Sequence, residues 1–234
     1  MPRVLGHKFV GYLREFNFST YFSEANWSEN ADVHDVTTWG SSAHVFDPGL
    51  KGYELSLTAF YDNANDAPYN RIQSGDSPII SIYDGGSIVG DAGVLFPETP
   101  ISARSVSFPV ADMGKLTISG AANGRFAGNA RLLHPLSTDT ATNNSTTPFD
   151  WGSSSTNGGL ANIHITAITG TWTLEVQHSA DNMTYATYLA PSSGSTAVGG
   201  YSTYSTAPVQ RYTRTYYTAV ATGSVTWVGG FGRF

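Results

Sequence analysis

Hydrophobic and polar residues alternate along this chain in short stretches, and the clearest alternation covers residues 53–61. Tyr53, Leu55 and Leu57 occupy odd-numbered positions, whereas positions 54, 56 and 58 are polar. Because neighbouring side chains of a strand point to opposite faces, this period of two predicts a β-strand with one buried face. Asp47-Pro48-Gly49 precedes the strand and has the composition of a tight turn. The pattern predicts a polar loop joined directly to a long strand.

The second half of the chain shows the same alternation in further stretches. Residues 163–166 alternate apolar and polar positions, and residues 172–177 do so again after Gly170. Two such runs joined by a short turn predict a β-hairpin. Residues 212–220 and 224–234 predict a closing pair of strands.

The composition favours β-structure throughout. Charged residues make up only 13% of the 234 residues, glycines number 25, and long runs of helix-forming residues at helical spacing are missing. We expect little helix, with a turn or two near residues 22–30 or near Asp112 as the candidates. The length allows one large core or two small ones. The predicted fold class is all-β, with two β-sandwich or barrel-like domains.

A stretch rich in Ser, Thr, Asn and Gly at residues 136–160 is the predicted linker. It divides the chain into an N-terminal β-domain of residues 1–135 and a C-terminal β-domain of residues 161–234. Phe149 and Trp151 lie inside this linker, where large aromatic residues are unusual. Either they pin the linker onto a domain or they dock on a neighbouring subunit.

The sequence contains no recognisable catalytic or metal-binding pattern. There is no cysteine, which excludes disulfides and thiolate chemistry. The six histidines lack metal-site spacing, and no Gly-x-Ser-x-Gly elbow or phosphate-binding loop occurs. A metal site at His34 and His44 is less favoured than ordinary loop roles for both. We therefore expect no enzymatic activity and no cofactor.

The charge of the chain argues against a protein that grips nucleic acid. Twelve basic and eighteen acidic residues give a formal charge of −6, so phosphate neutralisation would be poor. No apolar run approaches the length of a membrane span, and the first residues do not resemble a signal peptide. We expect neither DNA binding nor a membrane segment.

One region carries a resemblance to a known family. Its elements, in order, are Thr37-Thr38-Trp39-Gly40, Val45-Phe46, Pro48-Gly49-Leu50 and a strand of alternating Leu and Ser or Thr at residues 55–62. In this order and spacing they resemble the major tail tube proteins of long-tailed bacteriophages. The resemblance implies a virion tail protein, assembled in the host cytoplasm, whose copies stack as rings into a hollow tube. DNA would pass through the lumen without specific binding, and other tail proteins would contact the tube ends.

The same resemblance points to a loop that contacts the next ring. A long polar loop that ends in a rigid turn suits such a contact. The residues of this hypothetical assembly loop are Asp35, Thr37, Thr38, Trp39, Gly40, Val45, Phe46, Pro48 and Gly49.

The second half carries its own resemblance, to the carboxy-terminal β-domain of many phage virion proteins. The turn differs from the usual pattern, because Asp181-Asn182 and Tyr185 stand where Asp-Gly and Trp are usual. Asn tolerates this change through left-handed backbone geometry. The matching segments are residues 172–177, 178–182, 210–214 and 230–233, with Tyr185.

A weak internal similarity indicates a duplication. Residues 102–132 and 210–234 both read as an Arg-bearing strand, a small turn, a Gly-Lys-Leu-Thr or Gly-Ser-Val-Thr run and a Gly- and Arg-rich end. With two related domains in each chain, three chains would close a pseudo-hexameric ring. Without the duplication, six chains would close the ring.

The alternative function is a binding module, either a carbohydrate-binding β-sandwich or a virion adhesion or decoration protein. Its basis is the aromatic content, since aromatic faces stack on sugars. Trp172 and Trp227 lie in alternating strands and are predicted to be buried. Trp39 and Trp151 are the tryptophans predicted to be exposed.

Overall fold

A computed structural model describes residues 9–65, 67–140, 143–219 and 222–234. These residues form strands and one short helix. In chain order the elements are β1 (Phe9–Leu13), β2 (Phe16–Asn17), β3 (Phe22–Asp35), β4 (Phe46–Phe60), α1 (Pro68–Arg71), β5 (Ile80–Asp84), β6 (Ala92–Phe96), β7 (Ile101–Ser107), β8 (Lys115–Ala121), β9 (Ala127–Asp139), β10 (Asn143–Ser145), β11 (Phe149–Asp150), β12 (Gly159–Thr169), β13 (Trp172–Ser179), β14 (Ala186–Ser195), β15 (Gly199–Ser205), β16 (Tyr212–Ala219) and β17 (Ser224–Arg233).

The all-β prediction is confirmed, with 60% of residues in strands and 2% in helix. The helix candidates were wrong in both places. Residues 22–30 belong to β3, where they pair with β4, and Asp112 lies in the loop between β7 and β8. Cross-strand pairing outweighs the weak local helix preference of these residues.

The largest sheet has eight strands in the order β15-β12-β17-β9-β6-β5-β1-β2. It takes strands from both sides of residues 136–160, and β9 runs on to Asp139. The division into two domains therefore stays a prediction about how the chain is organised. One face of this sheet is filled by a cluster that includes Tyr12, Tyr83, Leu95, Leu132, Leu160 and Val228.

A second sheet has the path β10-β16-β13-β14, with β11 also paired to β16. It packs against the first sheet through Ile163 and Trp227 on one side and Trp172 and Leu174 on the other. The predicted hairpin is wrong, since β12 pairs with β15 and β17 whereas β13 pairs with β14 and β16. Gly170, with φ +81°, turns the chain from one sheet into the other. The turn at Gly170 allows Trp172 and Trp227 to be buried between the two sheets, and this burial favours the observed arrangement over a hairpin.

The predicted closing pair is likewise corrected. Strands β16 and β17 exist close to the expected bounds, but they lie in different sheets. By contrast, β7 and β8 in the similar segment 102–132 pair directly with each other. The relation of the two segments by duplication stays a prediction.

The third sheet has four strands in the order β3-β4-β8-β7. The predicted alternation in β4 is confirmed, because Leu55, Leu57 and Ala59 are buried while their polar neighbours are not. These side chains pack with Ile80 and Phe96 of the largest sheet and with other members of one core. By contrast, Phe46 and Leu50 in the first half of β4 are exposed.

The segment 136–160 is tied closely to the rest of the chain. The Trp151 indole nitrogen donates to the Thr213 hydroxyl at 2.9 Å, and the Arg233 guanidinium lies 4.7 Å from the Trp151 ring centroid. Asp150 accepts two hydrogen bonds of 2.7 Å from Arg211. Of the two alternatives for Phe149 and Trp151, the structure shows packing on their own chain.

A buried polar network joins β12 to β5 and to the end of β1. The Asn162 amide donates to the carbonyls of Ile80 and Phe96 at 3.1 and 2.9 Å. The fully buried His164 contacts the Arg14 carbonyl through Nδ1 and the Ser81 hydroxyl through Nε2, both at 2.7 Å. A carbonyl only accepts, so Nδ1 carries the proton and Nε2 accepts from Ser81. This neutral form is the one that burial favours.

Candidate assembly surface

A two-stranded arm projects from the four-stranded sheet. Strand β3 pairs with β4 from Phe22 to Asp35, whereas β8 pairs only with residues 54–60 of β4. Residues 46–53 therefore have no strand partner other than β3 among the described strands. At roughly 3.3 Å per residue, these eight residues extend about 25 Å past the end of β8. We call residues 29–53 the arm.

The arm corrects the predicted turn at Asp47-Pro48-Gly49. These residues lie inside β4, where Asp47 is opposite His34 and Pro48 is opposite Val33. The register shifts between Ala31 and Val33, which marks a β-bulge. Proline has no N–H to give to the ladder, so it is tolerated at such an irregularity. The connecting loop is residues 36–45 instead.

Hydrogen bonds close the base of this loop. The Asp35 carboxylate accepts from the Thr37 backbone N–H at 2.9 Å and from the Thr37 hydroxyl. The same hydroxyl oxygen accepts from the Val45 N–H at 2.9 Å, and the Val36 N–H donates to the Val45 carbonyl at 2.8 Å. His44 Nδ1 lies 2.9 Å from Asp35 Oδ2. The hydrogen bond from the Thr37 hydroxyl is the main cause that lowers the pKa of Asp35.

A smaller turn forms the outermost part of the loop. The Ser41 N–H donates to the Thr38 carbonyl at 2.9 Å, and the Thr38 N–H donates to the Ser41 hydroxyl at 3.3 Å. Trp39 sits on this turn with a relative exposure of 108%. A Cβ added to Gly40 would meet no atom within 4 Å. The turn thus presents an indole to solvent on an ordered backbone.

Six apolar side chains of the arm are exposed. Phe46 stacks on His44 with ring centroids 6.0 Å apart, and Leu50 has a relative exposure of 84%. Exposed apolar residues grouped on one protrusion mark an interaction site more often than single ones do. The exposed apolar side chains of the arm are Val33, Val36, Trp39, Val45, Phe46 and Leu50.

Opposite charges stabilise the stem of the arm. The Lys51 ammonium lies 2.5 Å from a Glu29 carboxylate oxygen across the two strands. This hydrogen bond is the first cause that raises the pKa of Lys51. Gly49 allows a close cross-strand approach, because a Cβ there would lie 2.8 Å from His34 Nε2. The stem is therefore a specific pairing of two strands.

The structure places the predicted assembly residues in three positions. Asp35, Thr37 and Val45 meet at the base of the loop, and Trp39 lies at its outermost turn. Phe46, Pro48 and Gly49 belong to the stem. Their contact with a second ring stays a prediction. The base of the loop holds Asp35, Thr37 and Val45, the outermost turn holds Thr38, Trp39 and Gly40, and the stem holds Phe46, Pro48 and Gly49.

Sequence reasoning missed Val33, Val36 and Leu50 as exposed apolar members of the arm. A signal existed for Leu50. Leu50 has an even number, as Phe46 and Glu54 do, so the alternation places it on the predicted solvent face of the strand. That face is polar at Glu54 but apolar at Leu50 and Phe46, nearer the loop. No comparable pattern marks Val33 or Val36.

The two edges of the four-stranded sheet are also open. Strand β3 forms one edge over 14 residues, and β7 forms the other over seven. Neither has a second strand partner among the described strands, although the Ile101 N–H and carbonyl at the start of β7 bond to Asp76 and Gly75. Unpaired strand edges offer rows of backbone donors and acceptors to another chain. The sheet can therefore be extended on both sides by neighbouring copies.

Other kinds of site receive no support from the described residues. They contain no cluster of three or more His, Asp or Glu residues that could hold a metal ion. No helix among them is long and apolar enough to cross a membrane. The tryptophan predictions are confirmed for Trp172 and Trp227, which are buried, and for Trp39. Trp151 was wrongly predicted as exposed and is half-buried.

No family model and no curated protein matches this sequence. Among solved structures, a chain in the virion of a gene transfer agent aligns with TM-score 0.42 and 15% identity, over 53% of this chain and 97% of that one. The tube-terminating cap of the anti-feeding prophage aligns with TM-score 0.43 and 16% identity, over 53% and 89%. The Dit protein of SPP1 aligns with TM-score 0.37 and 11% identity, over 95% and 98%. With TM-scores below 0.5, these likenesses carry no conclusion about the function of this chain.

Proposed function

We propose that this chain is a structural subunit of a phage tail, which polymerises as stacked rings into the tail tube through which DNA is ejected. The observation that carries the proposal is the arm. It is a hydrogen-bonded hairpin that extends roughly 25 Å past the end of β8 and holds a fully exposed tryptophan at its outermost turn. An exposed apolar hairpin of this kind suits contact with a copy in the next ring.

Closure of each ring would use the open edges of the four-stranded sheet. In a ring, the β3 edge of one copy meets the β7 edge of the next, and every edge is paired when the ring closes. Head-to-tail contacts that close produce rings, and closure removes the edges that would otherwise drive uncontrolled aggregation. Three-fold symmetry would support the proposed duplication, and strict six-fold symmetry would contradict it.

The charge of the chain fits a conduit for DNA. Its formal net charge of −6 gives no basis for trapping the phosphate backbone. DNA would pass through the lumen without specific binding, and other tail proteins would contact the tube ends.

One observation favours a second function, a carbohydrate-binding or decoration module. Trp39 presents an unobstructed indole, which can stack on a sugar ring. Trp151 gives this alternative no further support, because its ring is occupied by Arg233. Glycan-array binding that is lost in Trp39→Ala would establish this function.

The main test removes the loop of the arm. Replacement of residues 36–45 by Asn-Gly closes the hairpin with a two-residue turn. We expect a folded, soluble protomer with unchanged circular dichroism and no tubes in negative-stain electron microscopy. Met183→Ala, at a strongly exposed position outside the arm, is the control and should form tubes. Normal tubes from the loop replacement would overturn the proposal.

A further inference from the structure

A second exposed apolar surface lies on the loop that joins β7 to β8. Phe108, Val110 and Met113 are all exposed, and Val110 reaches a relative exposure of 108%. We call these three residues the far-end patch. Grouped exposure of this kind on one short loop marks an interaction site, as it does on the arm.

The loop is held in shape by its own chain. The Tyr61 N–H donates to the Gly114 carbonyl at 2.8 Å, and the Tyr61 and Phe108 rings meet edge to face with centroids 4.8 Å apart. A Cβ on Gly114 would lie 2.8 Å from the Phe108 ring. Lys115 Nζ lies 3.2 Å from Asp112 Oδ2. The patch is thus presented on a preformed loop and requires little ordering on binding.

The far-end patch and the arm lie at opposite ends of the same sheet. Strand β4 connects them, with Phe46 opposite Asp35 at the loop of the arm and Phe60 opposite Lys115 at the other end. Each copy therefore presents two different apolar surfaces that face in opposite directions along one strand axis.

We propose that the far-end patch receives the loop of the arm, residues 36–45, from a second copy of this chain in the adjacent ring. This inference rests on the proposed function and names the partner surface of the arm. Two different surfaces on opposite ends of a subunit form a head-to-tail contact, which repeats without limit and builds an open stack. Trp39 packs against Val110 and its neighbours, so the loop of the arm and the far-end patch both lose their exposure to water.

Charge favours the same pairing. Residues 32–47 contain three aspartates and no lysine or arginine, whereas residues 104–115 contain Arg104, Lys115 and one aspartate. The tip of the arm is therefore negative through the strand residues that flank its loop, whereas the segment that holds the far-end patch has a net charge of +1. Opposite charges at the rim of a contact steer two copies together and fix the register. Two arm tips, each flanked by three aspartates, would repel each other, which disfavours a symmetric tip-to-tip contact.

The first experiment blocks one end at a time. Trp39→Asp and Val110→Asp both replace fully exposed side chains, so both proteins should fold. Each alone should form rings that do not stack, as seen by electron microscopy. Mixed together, the intact arm of Val110→Asp meets the intact far end of Trp39→Asp, and stacking should stop at pairs of rings. Met183→Asp is the exposed control and should stack normally.

The second experiment uses the absence of cysteine in the chain. Trp39→Cys and Val110→Cys proteins, mixed and oxidised, should form a disulfide-linked dimer of one copy of each. A mixture of Trp39→Cys with Met183→Cys should not form such a dimer above background.

The outcomes separate this inference from the proposed function. Normal stacking by Val110→Asp, or equal cross-linking of Trp39→Cys to Met183→Cys, overturns the far-end contact while tubes of the unmodified chain still support the tail function. Absence of rings and tubes from the unmodified chain overturns the tail function. Absence of the Trp39–Val110 cross-link at every concentration tested overturns the contact in either case.

Discussion

The two halves of β4 show how one strand serves two purposes. Residues 55–59 lie between β3 and β8 and bury Leu55, Leu57 and Ala59 in the core. Residues 46–50 keep β3 as their partner but extend past β8, so Phe46 and Leu50 remain exposed. Both halves are apolar and extended. The two halves differ in the strands that continue beside them. The inner half therefore stabilises the fold, whereas the outer half is free for association.

Leucine occurs in both halves of β4, buried in one and exposed in the other. Leu57→Ala removes a side chain with 1% relative exposure and leaves a cavity, so we expect unfolding free energy to fall by about 2–5 kcal/mol. Leu50→Ala makes the same change at 84% exposure and should alter it by less than about 0.5 kcal/mol. Urea unfolding of both variants measures the difference. Similar losses of stability in the two proteins would show that burial does not distinguish the two halves of β4.

As pH falls, the core around His164 should lose stability before the contacts of Asp35 in the arm are lost. Burial lowers the pKa of His164 to about 4, whereas the unfolded side chain titrates near 6.5. Its neutral form is therefore favoured by folding, and its contribution is complete above pH 6.5 and lost as pH falls towards 4. The difference between the folded and unfolded pKa values corresponds to a loss of about 3 kcal/mol by pH 4.

This loss is measured by urea unfolding between pH 7 and 4, with His164→Gln as the control. The variant should be less stable at pH 7 but should lack this part of the pH dependence. In the arm, the lowered pKa of Asp35 preserves its ionised contacts until pH falls below the ordinary aspartate range near 3.8. An unchanged slope in His164→Gln would contradict the assignment to His164.

Two glycines test whether the stem of the arm must be closely paired. A Cβ on Gly49 would lie 2.8 Å from His34 Nε2 and 3.0 Å from Asp32 Cβ, whereas one on Gly52 meets nothing within 4 Å. Gly49→Ala should cost about 1 kcal/mol, because the His34 ring and the Asp32 Cβ must give way to the added methyl group, and it should raise the protein concentration needed for tubes several-fold. Gly52→Ala is the matched control. Equal tube formation by both variants would show that the stem tolerates the added methyl group.

The smallest expected effect lies in the loop of the arm. Thr37→Val removes the oxygen that accepts from the Val45 N–H, while Thr37→Ser keeps it. One exposed hydrogen bond contributes about 0.5–1.5 kcal/mol, so exchange of the Val45 amide should become about threefold to tenfold faster in Thr37→Val. Hydrogen exchange by NMR measures this rate. No difference between the valine and serine variants would mean that the hydroxyl does not order the loop.

Several features were readable in the sequence because they depend on local chemistry. The period of two predicts the strand and the buried face of β4, and the scarcity of helical patterns predicts the all-β class. Trp172 and Trp227 are correctly placed in the core by the alternation of their strands. The position of the arm loop was predicted within a few residues, because the predicted loop residues run from 35 to 49 and the observed loop is 36–45.

The errors concern partners that are distant in sequence. Adjacent strands β12 and β13 were expected to pair, but Ile163 and Trp172 face each other across two sheets. Asp47-Pro48-Gly49 has turn composition, yet β3 holds it in an extended ladder with a bulge. Phe149 and Trp151 resemble parts of a linker, yet they pack against β16 and Arg233. Composition reports local preference, and long-range pairing overrides it.

The sequence by itself determined the strand class, the inward-facing residues and the polar loop with its tryptophan, because these follow from side-chain alternation and turn chemistry. Only the tertiary structure decided that β8 ends at Ala121 and leaves the outer half of β4 free. It also decided that Phe108, Val110 and Met113 stand at the opposite end of that sheet. The exposure of a strand depends on which other strands lie beside it. No local sequence pattern shows where a neighbouring strand from a distant part of the chain ends.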